Sequence, residues 1–189
     1  TTGKMKWQGE WSYVHIVQEV TEVRAKEEQL RAEAYQDMLT GIGNRFYLRE
    51  EADEILNTGE QLALCYCDLD HLKYINDNFG HLEGDEYLKF FVRVVKENIR
   101  EEDIFARIGG DEFCILLRSC AREDAQNRMA DIQREFSERN KTVYERSFSC
   151  GIIEIPENHS PVKLEKLIHE ADENMYGQKR EHKNSIKIK

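Results

Sequence analysis

Positive charge is in short supply along this chain: 27 Lys and Arg stand against 37 Asp and Glu, a formal net charge of −10 over 189 residues. So acidic a surface does not suit sequence-independent binding to a phosphate backbone, which needs clustered cations, and no nucleic-acid partner is expected. A nucleotide ligand remains compatible, because a divalent metal and a few local cations can invert the field at one site. Proline is nearly absent, with only Pro156 and Pro161, which leaves out Pro-rich linkers. No apolar run approaches the roughly 20 residues that span a bilayer, and no signal-peptide pattern is visible. Cysteine occurs five times, an odd number with no CxxC pair. Small buried hydrophobes in a reducing cytosol explain such cysteines better than a disulfide framework or a metal site.

With 40% hydrophobic residues, the chain can bury one well-formed core and carry an appendage. It opens at Thr1 in strand-like sequence, so it reads as a fragment with a cytoplasmic catalytic part, and an upstream membrane anchor stays open. Residues 1–20 alternate as an extended segment, broken by a turn at Gln8-Gly9-Glu10. Residues 21–36 are rich in helix formers, with Thr21 placed to cap them. Val23, Leu30 and Ala34 would give either a short coiled-coil seam or an ordinary linker helix. Beyond residue 37 the pattern predicts helices at 45–57, 72–79, 82–99, 123–138 and 162–176. Strands are predicted at 61–67, 103–108 and 112–118, and one long strand or a strand pair at 143–155. Helices and hairpins without strict βαβ alternation indicate an α+β fold, a mostly antiparallel sheet flanked by helices.

Two acidic runs carry the chemistry. Asp68-Leu69-Asp70 closes an apolar strand, where a carboxylate is costly to bury without partners. Gly109-Gly110-Asp111-Glu112 sits at the turn of a predicted hairpin. Two glycines there allow positive φ and a close approach of backbone to a bulky ligand. Acids at that turn, facing acids at the end of a neighbouring strand, would make a hard-oxygen site for Mg²⁺ and a triphosphate.

Four segments, taken in order, carry a resemblance: Asp37-Met38-Leu39-Thr40, then Asp68-Leu69-Asp70 through Asn76, then Gly80-His81-Leu82-Glu83-Gly84-Asp85, then Gly109 to Phe113. Together they are similar to the signatures of GGDEF-domain diguanylate cyclases over about residues 37–184, which makes residues 37–189 the expected cyclase domain. The resemblance implies a palm-like fold and a reaction in which two GTP give cyclic di-GMP and two pyrophosphates. It implies Mg²⁺, or Mn²⁺, held by Asp68, Asp111 and the Leu69 carbonyl, in a two-metal arrangement with ions about 4 Å apart. It makes Asp68, Asp111 and Glu112 the catalytic group, with Glu112 either a further metal ligand or the acceptor of the hydroxyl proton. Asp70 is either a second metal ligand or a structural hydrogen-bond acceptor.

By the same resemblance, Asn76 and Asp85 read the guanine edge, where Asp accepts from base donors and Asn can do both. Asp85 could alternatively cap the helix that follows it. Lys73, Lys179 and Lys183, with the main-chain N–H groups of His71 and Leu72, correspond to the triphosphate site. Lys183 stands where the family usually has Arg, and Gly43 where it usually has Pro. Asp37 and Arg45 are expected to hold the fold by polar pairing. Arg100 and Asp103 form an RxxD pattern that resembles the family's inhibitory site for cyclic di-GMP, with Arg107 as a weaker helper. Gln18 to Glu22 resembles the end of a PAS-like sensor domain, which would make residues 1–21 a sensor tail and 22–36 a signalling helix. A homodimer and an upstream sensor in cis follow as expected partners. The rival reading is a non-catalytic receptor for cyclic di-GMP or GTP, and the retained Asp68, Asp111 and Glu112 favour the enzyme.

Overall fold

Near the start of the chain, strand β1 (Thr2–Trp7) pairs antiparallel with β2 (Glu10–His15) in a hairpin. Gln8 and Gly9 both take positive φ, 50° and 89°, the backbone that a two-residue loop between right-twisting strands requires. The computed structural model describes residues 2–15, 26, 30, 31, 33–139 and 142–186. Of the expected signalling helix, residues 26, 30, 31 and 33–35 are helical. Its expected last residue, Gln36, is instead an isolated bridge partner of Gly43, and residues 22–25, 27–29 and 32, like the expected PAS-like segment 18–22, lie outside the described residues. Residues 1–34 and 35–189 are two separate compact units.

The second unit is a four-stranded antiparallel sheet in the order β4-β5-β3-β6. The strands are β3 (Leu62–Leu69), β4 (Ile104–Arg107), β5 (Glu112–Arg118) and β6 (Phe148–Ile155). The helices are α1 (Arg45–Leu56), α2 (Leu72–Phe79), α3 (His81–Asn98), α4 (Arg122–Glu138) and α5 (Leu164–Ile186). Strand β3 is central and covered on both faces, so its apolar run shows no polar alternation until Asp68. Its side chains still divide by parity. Cys65, Cys67 and Leu69 pack with Tyr87 and Phe91 of α3 and Ile132 and Phe136 of α4. Leu62, Leu64 and Tyr66 pack with Leu48 and Ala52 of α1 and Leu167, Ala171 and Met175 of α5.

The two helical layers are held differently. Phe91 is the hub of the first, with ring centroids 4.9 Å from Phe113, 5.1 Å from Phe148 and 5.3 Å from Phe136. In the second, α5 lies against β6 so closely that a Cβ on Gly151 would stand 1.8 Å from the Ala171 carbonyl oxygen. Only glycine fits there, because the obstacle is backbone. All five cysteines are free thiols, as expected, and four of them are buried. Cys67 and Cys150 face each other across β3 and β6 with Sγ atoms 3.3 Å apart. Of the predicted 143–155, one strand is formed, starting at Phe148, and α5 runs ten residues beyond the predicted Tyr176, to Ile186. Among the described residues, no helix is long and apolar enough to cross a membrane.

Candidate active site

The antiparallel register places Asp68 directly opposite Glu112, so β3 and β5 bring two carboxylates to one end of the sheet. The hairpin between β4 and β5 holds the third. Ile108 and Gly109 N–H both donate to the Glu112 carbonyl, at 2.9 and 3.3 Å, and Leu69 N–H donates to the Asp111 carbonyl at 3.0 Å. The last of these ties the hairpin tip to the end of β3. Neither Gly109 nor Gly110 has positive φ, which corrects the expectation that these glycines serve backbone conformation. Gly109 serves space: a Cβ there would lie 2.1 Å from Glu112 Oε2, whereas one on Gly110 would meet nothing within 4 Å.

Arg107 anchors the turn. Its guanidinium donates to the Gly110 carbonyl at 3.1 and 2.6 Å and to both Asp37 oxygens at 3.1 and 3.2 Å. Asp37 also accepts from the Thr40 N–H and hydroxyl, at 2.9 and 2.6 Å. The Asp37-x-Leu-Thr segment is therefore the far anchor of the catalytic hairpin. Asp37 pairs as expected, with Arg107 as its partner, while Arg45 is exposed on the first turn of α1. Arg107, expected as a weaker helper at the product site, is held here by the hairpin and by Asp37. The segment's Gly43 lies under Tyr47, whose Cδ1 would be 2.0 Å from a Cβ.

Glu112 Oε1 accepts a hydrogen bond from the Tyr66 hydroxyl at 2.5 Å. Burial, then that hydrogen bond and the Glu112 charge, push the Tyr66 phenol far up, so it stays a donor. Hydropathy reads Tyr66 as one more core side chain in an apolar strand, and its hydroxyl left no sequence signal. Asp70 makes the contacts that the structural alternative expects. Its carboxylate accepts from the Ser147 and Ser149 hydroxyls at 2.9 and 3.2 Å, and its N–H donates to the Ser147 carbonyl at 3.0 Å. These bonds sew the end of β3 to β6.

Among the described residues, no group of three or more His, Cys, Asp or Glu is arranged to hold a metal ion by itself. The donor set nonetheless suits Mg²⁺, which demands hard oxygens, keeps several waters and is ordinarily bound through one or two carboxylates plus substrate phosphates. Asp68, Asp111 and the Leu69 carbonyl offer that chemistry at one end of the sheet. Just beyond them, His71 takes left-handed φ of 66° and opens α2 without a side-chain cap. The first N–H groups of a helix have no partner within it, and an αL residue before them forms a concave anion cradle. Lys73, exposed on that first turn, adds a cation. Lys179 and Lys183 lie on the last turns of α5, and their side chains fall outside the described residues.

Gly80, at φ 88°, ends α2 and begins α3, and Asn76 on the one helix and Asp85 on the other are each half-buried. Gly84 of α3 faces Asn76: a Cβ would lie 2.0 Å from Asn76 Oδ1. Because α3 starts at His81, Asp85 sits in its second turn and the capping alternative falls away.

Arg100 and Asp103 lie elsewhere, before β4. The Asp103 side chain is 0% exposed and paired with Arg128 at 3.2 Å. It also accepts from the Arg100 and Arg118 backbone N–H groups, each at 2.9 Å. The Arg100 side chain is 54% exposed. Arg100 and Arg128 line an open cleft of about 500 Å³ with Ser119, Cys120, Asp124 and Asn127. Arg128, on α4, was missed in the sequence, since nothing local links it to a motif 25 residues earlier.

Comparison with known proteins now bears on this geometry. The family described as "Diguanylate cyclase, GGDEF domain" matches residues 34–185. Diguanylate cyclase TpbB of Pseudomonas aeruginosa is 32% identical over 168 residues, covering 84% of this chain and 38% of that protein. The structure of its GGDEF domain alone superposes with a TM-score of 0.69 at 31% identity, over 78% of this chain and 90% of that one. The coiled coil and GGDEF domain of DgcB from Caulobacter crescentus, solved in complex with c-di-GMP, gives a TM-score of 0.73 at 26% identity. That match covers 86% of this chain and 89% of that one. The chain spans 26%, 49% and 38% of the length of three curated relatives it matches.

Proposed function

The chain belongs to the GGDEF-domain family of diguanylate cyclases, and from that premise we propose that it condenses two GTP into cyclic di-GMP with release of two pyrophosphates. The observation that carries the reading is the register that sets Asp68 against Glu112, beside the tied Asp111 and at the mouth of the αL-opened helix α2. Carboxylates, a helix opening suited to an anion and the proposed base-reading residues on neighbouring elements of one scaffold support the reading.

In each half-reaction the 3′-oxygen of one GTP attacks the α-phosphorus of the other. A P–O bond forms, the bond to the β-phosphate breaks, and the proton of the hydroxyl is lost to a base. Such a displacement asks for positioning and charge neutralisation more than covalent help. Asp68, Asp111 and the Leu69 carbonyl would hold Mg²⁺ or Mn²⁺, which supplies Lewis-acid neutralisation of the phosphates and activation of the attacking hydroxyl. The N–H groups of His71 and Leu72 and the Lys73 ammonium bind the β- and γ-phosphates, joined by Lys179 and Lys183 from α5. Asn76 and Asp85 orient guanine; a base lacking the matching edge leaves these two half-buried polar groups unpaired, which penalises it. A two-fold product from two identical substrates fits a homodimer bringing two half-sites together. The preceding unit would then serve as the relay from an upstream sensor.

The Arg100 cleft is the proposed seat of product inhibition. Arg100 and Arg128 present cationic forks suited to guanine O6/N7 or phosphate, and Asp103 holds Arg128 in place.

The test is mass spectrometry of products after incubation with GTP and Mg²⁺, at low and high protein concentration, with prior nucleotide stripped. Cyclic di-GMP rising faster than linearly with protein, and absent in Asp111→Ala and Asp68→Ala of unchanged melting cooperativity, is the expected result. No product at any concentration, with tight cyclic di-GMP binding retained, would establish a receptor instead.

A further inference from the structure

We propose that Tyr66 is a positioning residue for Glu112: its hydroxyl fixes one carboxylate oxygen and leaves the other as the only one available to the reaction. The inference rests on the cyclase reading above and deepens it by assigning a residue that no motif contains.

Parity and register place the pair. Tyr66 stands two residues before Asp68 on β3, so both side chains emerge on the face covered by α1 and α5. On β5, Cys114 is opposite Tyr66 and Glu112 opposite Asp68, which makes Tyr66 and Glu112 diagonal cross-strand neighbours, within reach of an aromatic side chain. The ring is wedged in the core and 5% exposed, so its hydroxyl has little freedom to follow Glu112 if the carboxylate swings.

Both oxygens of Glu112 are accounted for. Oε1 receives the Tyr66 hydroxyl at 2.5 Å. Oε2 lies over Gly109, 2.1 Å from where a Cβ would stand. A glutamate otherwise samples several side-chain torsions, and ordering it on substrate arrival would cost free energy at that moment. The phenol and the missing Cβ together do that ordering when the protein folds. A buried phenol needs some acceptor, and a backbone carbonyl would have sufficed. That the acceptor is a carboxylate directly opposite Asp68 is what points to positioning.

The test is Tyr66→Phe, which deletes one oxygen and keeps the ring in the core. Three readouts are taken: turnover of GTP, cyclic di-GMP binding at the Arg100 cleft, and Mn²⁺ affinity. The last is followed by electron paramagnetic resonance with a GTP analogue that is non-cleavable between the α- and β-phosphates. Loss of one such hydrogen bond is expected to lower kcat about ten-fold with KM for GTP changed about two-fold or less. With Glu112 taken as the further metal ligand beside Asp68 and Asp111, Mn²⁺ affinity with the analogue should fall several-fold, while cyclic di-GMP binding stays as in the parent. In a Glu112→Gln background, Tyr66→Phe should weaken Mn²⁺ no further. Unchanged kcat and Mn²⁺ affinity in Tyr66→Phe, or additive losses in the double variant, overturn the proposal. A parent protein that makes no cyclic di-GMP overturns the cyclase reading instead, and the Mn²⁺ titration still decides the role of Tyr66.

Discussion

Replacing Asp103 by Ala should damage the fold before it damages ligand binding, although its place in an RxxD pattern invites the opposite expectation. The carboxylate is fully covered and receives the Arg100 N–H, the Arg118 N–H and the Arg128 guanidinium. Alanine would strand two backbone donors beside a buried cavity and release a partly buried cation. Each hydrogen bond to a charged acceptor contributes about 1.5–3 kcal/mol, and removing one side of a buried charge network costs about 3–5 kcal/mol. The second figure is the better guide, because the bonds share one acceptor and do not add. For a domain of this size it corresponds to a fall in Tm of about 10 °C. Arg100→Ala is the control. Its side chain is half-exposed and its contact with Glu102 is 3.9 Å, a surface pair that contributes about 0–1 kcal/mol. Urea unfolding followed by fluorescence, paired with calorimetric titration of cyclic di-GMP, separates the two effects. The expected outcome is that Arg100→Ala loses the ligand and keeps its stability, while Asp103→Ala loses both. An Asp103→Ala protein within about 1 kcal/mol of the parent, or an equal destabilisation by Arg100→Ala, would refute the reasoning.

Other expectations follow from the same contacts. Gly109→Ala should abolish most turnover yet barely shift the melting temperature, because the obstructing atom is the far end of the Glu112 side chain. Gly110→Ala should fold as the parent, and a parallel stability loss in both would show that backbone conformation is what the glycines supply. Burial disfavours the charged form of Asp37, but the Thr40 hydroxyl and N–H and the Arg107 guanidinium outweigh it, so its carboxyl stays below the usual 3.8. With the folded value depressed, this contribution is present above the unfolded value and is lost as pH falls through the folded one. Asp37→Asn should therefore flatten the acid limb of a stability–pH curve below about pH 4, and an unchanged limb would count against the pairing. Burial also pushes the Cys114 and Cys120 thiols up, and the other three are raised as well. Ellman's reagent should find no fast-reacting thiol in the native protein and five after unfolding; a fast native thiol would mean the sheet opens.

Much of the second unit was legible because local patterns and tertiary burial agree there. The apolar run ending in Asp68, the glycine-marked turn and the Gly80 break between α2 and α3 each leave a sequence signature within a few residues. Boundaries failed where that signal stops. Helix α5 continues past Tyr176 through a polar stretch with little hydrophobic periodicity to register it, and the described strand of 143–155 begins only at Phe148. Of the site, the motif residues were legible and their anchors were not. Arg107 reaches Asp37 across 70 residues, and Arg118 reaches Glu60 across 58. Such pairs depend on strand register, which no single segment encodes. Tyr66 fails for a different reason: its ring obeys the apolar pattern of β3 while its one polar atom performs a task that hydropathy averages away. The glycines of the turn were found for the wrong cause, since positive φ and missing volume leave the same letter in the sequence.

The direct opposition of Asp68 and Glu112 carries a cost that exposes what the site is for. Like charges on directly paired residues of an antiparallel ladder destabilise it, by up to about 1 kcal/mol relative to neutral pairs. A purely structural sheet end would have little reason to keep such a pair. The Tyr66 hydroxyl relieves part of the repulsion from the Glu112 side, and a divalent cation between the carboxylates would relieve more. Asp68→Asn preserves the shape of the side chain and removes one charge. It should raise the melting temperature in metal-free buffer by a few degrees, about 2–4 °C per kcal/mol, while eliminating cyclic di-GMP synthesis. The stabilisation should shrink when Mg²⁺ and GTP are added, because only the parent is stabilised by binding them. A destabilised Asp68→Asn would mean that Asp68 holds the end of β3 together, and its placement opposite Glu112 would then speak for folding instead of catalysis.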